Sequence, residues 1–291
     1  MKTINNIENS FVTFYKFGTE SGKQQFVTNT ECAIQKGFCY PIYDQNDVTF
    51  QTEIISDEVL DASNVIASII DSSGITTISG ASVVVEQVGL YLGSIPIYNC
   101  HFSFFSSDFL SVFSDGDCFQ FAITAGTVEV ELAVFIGNEC FKVISDKCLT
   151  SKLKYLNSSD AFGFKYDLSG TPRYNTIRLP IYFKDPLNPV DREVYNRMNG
   201  TTELIWAAVR KSYRGFIDEV PESVHQKLVI AMSHDFVTFV PQDWINVNGI
   251  RCVFENEYNQ NFPNIMGIVD VWSADFTIFV TPFNNYNSNC G

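Results

Sequence analysis

A chain of 291 residues is longer than one hydrophobic core usually serves, so two domains of ordinary size are expected. With 45% apolar and 18% charged residues the composition excludes a disordered chain. Nineteen Lys and Arg against 33 Asp and Glu, a formal charge of −14, exclude a broad nucleic-acid-binding surface and favour solubility.

The 26 Phe and 13 Tyr favour strands, because aromatic rings pack well on a pleated, half-buried surface. Residues 1–8 lack the continuous apolar core of a signal peptide, and no apolar run approaches the ~20 residues that span a bilayer. Synthesis and folding in a cytoplasm, without membrane insertion, is the expectation. The eight cysteines, Cys32, Cys39, Cys100, Cys118, Cys140, Cys148, Cys252 and Cys290, are scattered through a large chain, so unbridged and mostly buried thiols are expected.

In chain order, Phe11–Tyr15 and Val48–Ile54 read as strands. Val65–Ile70 and Ile75–Ile78 flank Asp71-Ser72-Ser73-Gly74, whose glycine supplies the positive φ of a tight connection, so a hairpin is expected; a helix over 57–70 is the alternative. Val83–Val85, Tyr91-Leu92, Ile95–Phe105, Cys118–Ile123 and Val128–Phe135 continue the series, the last with alternating Val128, Val130, Leu132 and Val134. Residues 1–150 are therefore expected to form a β-sandwich. The boundary is expected within Cys148–Asp160, where apolar periodicity fades and Asn157-Ser158-Ser159-Asp160 signals a loop.

Residues 151–291 have a different rhythm. Ile177–Phe183 is a strand whose Pro180 cannot donate to a ladder, which places it on an edge or at a bulge. Asn199-Gly200 signals a type I′ turn joining Glu193–Met198 to the long run Glu203–Phe216. One helix is expected from Pro221 to about His234, with Pro221 at its first position, Glu222 in its first turn, and Val224, Leu228, Ala231 and Met232 as its apolar stripe. Strands resume at Phe236–Val240, Gly249–Phe254, Ile268–Trp272 and Phe276–Thr281. The fold class is mainly β: two β-sandwich or barrel-like domains, the second carrying one α-helix on its sheet. There is no internal repeat or low-complexity segment.

The residues do not assemble into chemistry. Cys32 and Cys39, and Cys140 and Cys148, have the wrong spacing for a zinc ribbon and lack a second pair. His101 lies in an apolar strand, as a hydrogen-bonded core imidazole does. His225 and His234 are two and a half helical turns apart and face different ways. Ser233-His234-Asp235 holds the residue types of a hydrolase triad, but sequence neighbours cannot relay a proton among themselves, and His234 is better explained as a C-terminal helix cap. Arg210, Lys211 and Arg214 read as a solvated strand face paired with nearby acids. No glycine-rich phosphate loop occurs. Asn157-Ser158-Ser159 and Asn199-Gly200-Thr201 are chance matches to glycosylation sequons. No catalytic, cofactor-binding or metal residue is assigned, and no cofactor is expected.

Ala161-Phe162-Gly163-Phe164, Ile177-Arg178-Leu179-Pro180, Pro221–Leu228 running into Ala231-Met232-Ser233-His234-Asp235, and Thr281-Pro282-Phe283-Asn284 ahead of Asn287–Cys290 carry a family resemblance. Over about 130 residues, with a looser match through Cys140-Phe141 and Cys148, the second half resembles proteins of tailed phages and prophages of Bacteroides and their relatives, the crAss-like phages among them. The resemblance implies a virion protein of the tail, a hub, ring or fibre-attachment component, and offers no catalytic residues to transfer. A strand-rich unit with one helix also resembles the ring-forming unit of tail tubes. Copies of the chain would then associate head to tail around an axis, alongside other tail proteins, with the Pro180 and Asn199-Gly200 regions as contact edges. The expectation is a non-enzymatic, symmetric oligomer in the virion. The alternative is a receptor- or glycan-binding fibre module using Trp206, Trp244 and Trp272. A hydrolase built from distant carboxylates is the third reading.

Overall fold

The structure is a computed structural model that describes residues 2–7, 10–16, 38–71, 74–78, 81–104, 109–127, 132–146, 148–157, 167–168, 171–187, 190–198, 200–209, 211–241, 250–261 and 271–280. Short runs of alternating apolar residues become strands throughout. In the first half these are β1 (Lys2–Asn5), β2 (Phe14–Lys16), β3 (Cys39–Ile42), β4 (Phe50–Ser56), β5 (Val65–Asp71) and β6 (Gly74–Thr77). They continue with β7 (Ser82–Tyr91), β8 (Ile95–Ser103), β9 (Cys118–Ala125), β10 (Ala133–Gly137) and β11 (Cys140–Val143). One sheet runs β1-β4-β8-β7; the other runs β2-β10-β9-β11-β3, with β5 also on β9 and β6 on β5.

Aromatic rings fill the space between them. Phe50 on β4 lies 5.3 Å from Phe121 on β9, and Phe104, just beyond β8, lies 5.1 Å from the same ring. Phe119 and Phe141 stack at 5.8 Å on the facing sheet. Two sheets closing on one aromatic layer make the expected sandwich. The β5–β6 hairpin forms with Asp71 opposite Gly74 at φ +119°, so the helical alternative over 57–70 is not what this stretch adopts. The first predicted strand is shorter than expected, since Phe11 and Val12 are buried ahead of β2 rather than paired in it. Residues 128–131 lie outside the described residues, and β10 is the remainder of that predicted strand.

The second half contributes β12 (Ser151–Leu156), β13 (Asp167–Leu168), β14 (Thr171–Pro172), β15 (Asn175–Leu179), β16 (Ile181–Leu187), β17 (Val190–Asn196) and β18 (Thr202–Val209). Then come β19 (Ser212–Pro221), helix α1 (Glu222–Met232), β20 (Phe236–Pro241), β21 (Ile250–Asn261) and β22 (Val271–Val280). Seven of these strands form one sheet in the order β15-β12-β20-β21-β22-β19-β16. Its two end strands are separated in sequence by Pro180 alone, so the sheet must curl until its ends approach. Proline, with no N–H to give a ladder, sits at the corner where the chain leaves one end strand for the other. Gly215 is needed on β19, because a Cβ there would stand 2.6 Å from the Phe276 ring and 2.9 Å from that of Phe183.

Helix α1 buries Val224, Leu228, Ala231 and Met232, the expected stripe, and packs against β19, β21 and β22. Pro221 is at the N-cap, one residue earlier than expected, because it still pairs with Val271 as the last residue of β19. Two further readings are corrected. Ser151–Leu156, inside the expected boundary segment, is strand β12 in the sheet interior, with Leu153 and Tyr155 buried at alternate positions. Ile268–Trp272 and Phe276–Thr281 are not separate strands; Val271–Val280 is continuous as β22.

Among the described residues, strands up to Val143 pair with one another and strands from Ser151 on pair with one another, apart from a Thr49–Thr176 bridge. Apolar contact is continuous across that seam, as where the Phe11 ring meets Tyr155 at 6.0 Å.

Candidate functional site

The most distinctive feature is a β-ribbon that outgrows its sheet. Strands β16 and β19 pair up to Leu187 opposite Ser212, and the same two chain segments continue as β17 and β18, paired from Val190–Val209 to Asn196–Thr202. This distal hairpin is a two-stranded sheet with no third strand among the described residues. Seven residues at about 3.3 Å each give an arm of roughly 20 Å. Register shifts between Lys184 and Leu187 and between Glu193 and Val194 add twist along it.

The arm's tip departs from the expected turn in detail. Arg197 N–H donates to the Thr201 carbonyl at 2.8 Å and Gly200 N–H donates to the Arg197 carbonyl at 2.9 Å, with Gly200 at φ +82°. The Gly200–Arg197 bond sets the turn one residue earlier than a type I′ turn centred on Asn199-Gly200 would, with Gly200 left-handed just after it, as in a loop closed by a glycine bulge; Asn199 itself lies outside the described residues. Met198 at the tip is fully exposed, and Val194 and Tyr195 are exposed beside it. A second apolar tip lies on the β7–β8 hairpin, where Leu90, Tyr91 and Leu92 are exposed.

Leu92 is also held at φ +51°, a left-handed conformation that costs a side-chain-bearing residue about 1–2 kcal/mol. Leu92→Asn is expected to raise stability by about 1 kcal/mol, read as a higher urea midpoint, since asparagine tolerates this conformation and the 82% exposed leucine gives up little packing. An unchanged or lower midpoint contradicts this.

At the seam, Asp47 is buried in a 3₁₀ turn (Gln45–Asp47) and faces three donors of the other half. Arg178 Nε and Nη2 donate to its two oxygens at 2.6 and 2.9 Å, and Lys152 Nζ lies at 2.9 Å. Burial pushes the Asp47 carboxyl up, but the Arg178 hydrogen bonds and the Lys152 charge outweigh it and hold the group below its ordinary range. His101 is buried beside this seam, as expected of a core imidazole, and its Nε2 donates to the Tyr174 carbonyl at 3.3 Å. Desolvation brings it down to about 4, so the ring is neutral at pH 7.

The other flagged residues go separate ways. His225 meets the Tyr258 hydroxyl at 2.5 Å, while His234 takes the Ile230 carbonyl at 2.7 Å and so caps α1. Ser233 Oγ donates to that same carbonyl, and Asp235 N–H donates to Asn157, so Ser233-His234-Asp235 is no triad. Arg214 pairs with Asp275 at 2.9 Å, as a solvated strand face does, and the Lys211 ammonium lies over the Tyr213 ring. Arg210, the side chains of Trp206, Trp244 and Trp272, and the segments 161–164, 281–284 and 287–290 lie outside the described residues.

The cysteines correct two expectations. Cys39, Cys100, Cys118, Cys148 and Cys252 are thiols, but Cys140 is disulfide-bonded. The grouping that forms is not a sequence-adjacent pair: the sulfurs of Cys39, Cys118 and Cys140 lie within 4.8 Å of one another. Burial and the neighbouring Cys118 push the Cys39 thiol up to about 12, so it is a poor nucleophile. A signal for the grouping exists in the sequence. Each of the three is followed by an aromatic residue, Tyr40, Phe119 and Phe141, which sends three rings to the core and three sulfurs to the opposite face.

The chain matches no protein-family model, no curated protein and no solved structure. No helix among the described residues is long and apolar enough to cross a membrane.

Proposed function

We propose that this chain is a non-enzymatic structural component of a bacteriophage tail, a hub, ring or fibre-attachment protein that assembles with copies of itself into a symmetric oligomer in the virion. The observation that carries the reading is the β17–β18 arm. A two-stranded ribbon is marginally stable in water by itself, and gains stability when further strands or an apolar surface join it. This one projects from a rigid sheet and presents Val194, Tyr195 and Met198 to solvent. Such an arm suits a neighbour that adds strands to it or receives its tip in a cleft. Arm and receiving surface are then different patches, a heterologous contact, and a heterologous contact that closes makes a ring.

The exposed Leu90–Leu92 tip supports the same reading, since a backbone outlier bearing a large apolar side chain is a cost that contact with a partner offsets. The resemblance of the second half to tail proteins of Bacteroides phages supplies the setting, and the acidic surface suits a channel wall that does not retain DNA. Negative-stain images of the purified chain test the assembly, and mass spectrometry of purified particles of the encoding phage tests its place. Closed rings and peptides of this chain in tails are expected; isolated monomers together with particles lacking the chain would remove the reading.

A further inference from the structure

Three sulfurs from three neighbouring strands meet on the face of the first-half sheet that points away from the aromatic core. We propose that, once the disulfide at Cys140 is reduced, Cys39, Cys118 and Cys140 form a binding site for one thiophilic metal ion of the Zn(II), Cd(II) or Cu(I) class.

The strand pairing builds the site. β11 lies between β3 and β9, with Cys140 opposite Cys39 and Phe141 opposite both Tyr40 and Phe119. The Tyr40 and Phe141 rings, 5.6 Å apart, and the Phe119 and Phe141 rings, 5.8 Å apart, lock this register from the core side. Side chains alternate across a sheet, so the preceding residue of each strand emerges on the other face, and those residues are the three cysteines. Cys118 and Cys140 are buried and Cys39 is half-buried, which leaves one side open to an arriving ion.

The spacing fits. Two thiolates on one ion at about 2.3 Å stand about 3.8 Å apart in tetrahedral geometry. With no pair beyond 4.8 Å, rotations about χ1 close the difference. Three soft sulfur donors select thiophilic ions over Mg(II) or Ca(II), and the fourth position falls to a solvent molecule or to the second thiol that reduction releases beside Cys140. Three thiolates around a divalent ion carry one net negative charge, which Lys142, the register partner of Cys118, is placed to offset.

The reduction needs a co-reactant. A phosphine donates two electrons to the disulfide and becomes a phosphine oxide with oxygen from water, whose two protons go to the two sulfurs. The ion then displaces the protons of the three thiols.

The test is titration of Cd(II) into the full chain under anaerobic conditions, with and without phosphine pretreatment, followed by the thiolate-to-Cd(II) charge-transfer band. The reduced chain is expected to saturate at one equivalent and the unreduced chain to show no such band. Cys39→Ser and Cys118→Ser are each expected to weaken binding at least about tenfold, a loss of about 1.4 kcal/mol, while Cys148→Ser, outside the cluster, leaves it unchanged. Circular dichroism confirms that the variants fold. A variant that does not fold is replaced by a reading on the native sequence, whose thermal midpoint after reduction is expected to rise with Cd(II) and not with Mg(II). The inference is overturned by a reduced chain without a one-equivalent band, by a band of equal strength without reduction, by full binding in both folded serine variants, or by a midpoint insensitive to Cd(II).

Discussion

Asp47→Ala is expected to destabilise the chain by about 3–5 kcal/mol, the cost of removing one partner from a buried, hydrogen-bonded ion pair. The magnitude follows from what is left behind. Arg178 is 5% exposed and directs two N–H groups at the Asp47 oxygens, so alanine leaves a buried guanidinium without that carboxylate, keeping only its Nη1 bond to Thr150 Oγ1 at 3.1 Å among the side-chain hydrogen bonds of the described residues. The Tyr43 and Asp44 backbone N–H groups, each 2.9 Å from Asp47 Oδ2, lose their acceptor as well. Because Arg178 and Lys152 belong to the second half and Asp47 to the first, the loss loosens the seam between them. Total stabilities of about 5–15 kcal/mol make this a large share. Chemical denaturation checks it, and a cost below about 1 kcal/mol contradicts it.

Two groups at the seam, His101 and Asp47, contribute to the acid response. His101 falls from 6.5 to about 4 in the folded chain, so its contribution is complete above pH 6.5 and is lost as pH drops from there toward 4. The Asp47 carboxyl is also lowered, from 3.8, so its contribution is present above that pH and disappears as pH falls below it, through the folded value. Urea midpoints are therefore expected to decline in two stages on acidification, and Asp47→Ala makes the second shallower, since Glu58 and other carboxylates held low in the folded chain still contribute to it.

Phe121→Ala is expected to cost about 3–5 kcal/mol through the cavity it opens. Phe121 has no exposed surface and stands between the two sheets of the sandwich. Its ring centroid lies 4.8 Å from Phe141, 5.1 Å from Phe104, 5.3 Å from Phe50 and 5.4 Å from Phe119. Four rings pinned by two hydrogen-bonded sheets cannot close on the void, so most of the lost contact is not recovered. Phe121→Leu refills part of the volume and is expected to cost well under half as much. Equal effects for the two replacements would show that ring packing is not what holds the sheets together.

Elements whose signals are local were legible in the sequence. The arm's loop announces itself through Asn199-Gly200, helix α1 through its apolar stripe, and His234 through its place at the helix end. What the sequence hid depends on pairing. Ser151–Leu156 resembles a linker because Lys152 and Lys154 interrupt it, yet alternate Leu153 and Tyr155 reach the core while those lysines point away. The loop type at Gly200 turns on which residue takes the positive φ, and dipeptide identity alone does not settle that. Cys39, Cys118 and Cys140 are far apart in the chain, and only the β3-β11-β9 order brings them together. Searching for short spacings between cysteines could not find them, whereas the repeated cysteine-aromatic dipeptide points to them.

The arm is the part of the molecule on which the assembly reading depends, and sedimentation velocity across a concentration series tests it most directly. Two proteins are compared: the native chain, and one in which residues 188–211 are replaced by Asn-Gly, which links Leu187 to its register partner Ser212 by a two-residue turn and leaves the seven-stranded sheet complete. The account predicts a discrete oligomer for the native chain and a folded monomer for the shortened one. A native chain that sediments as a monomer at every concentration, or a shortened chain that assembles as well as the native, contradicts it.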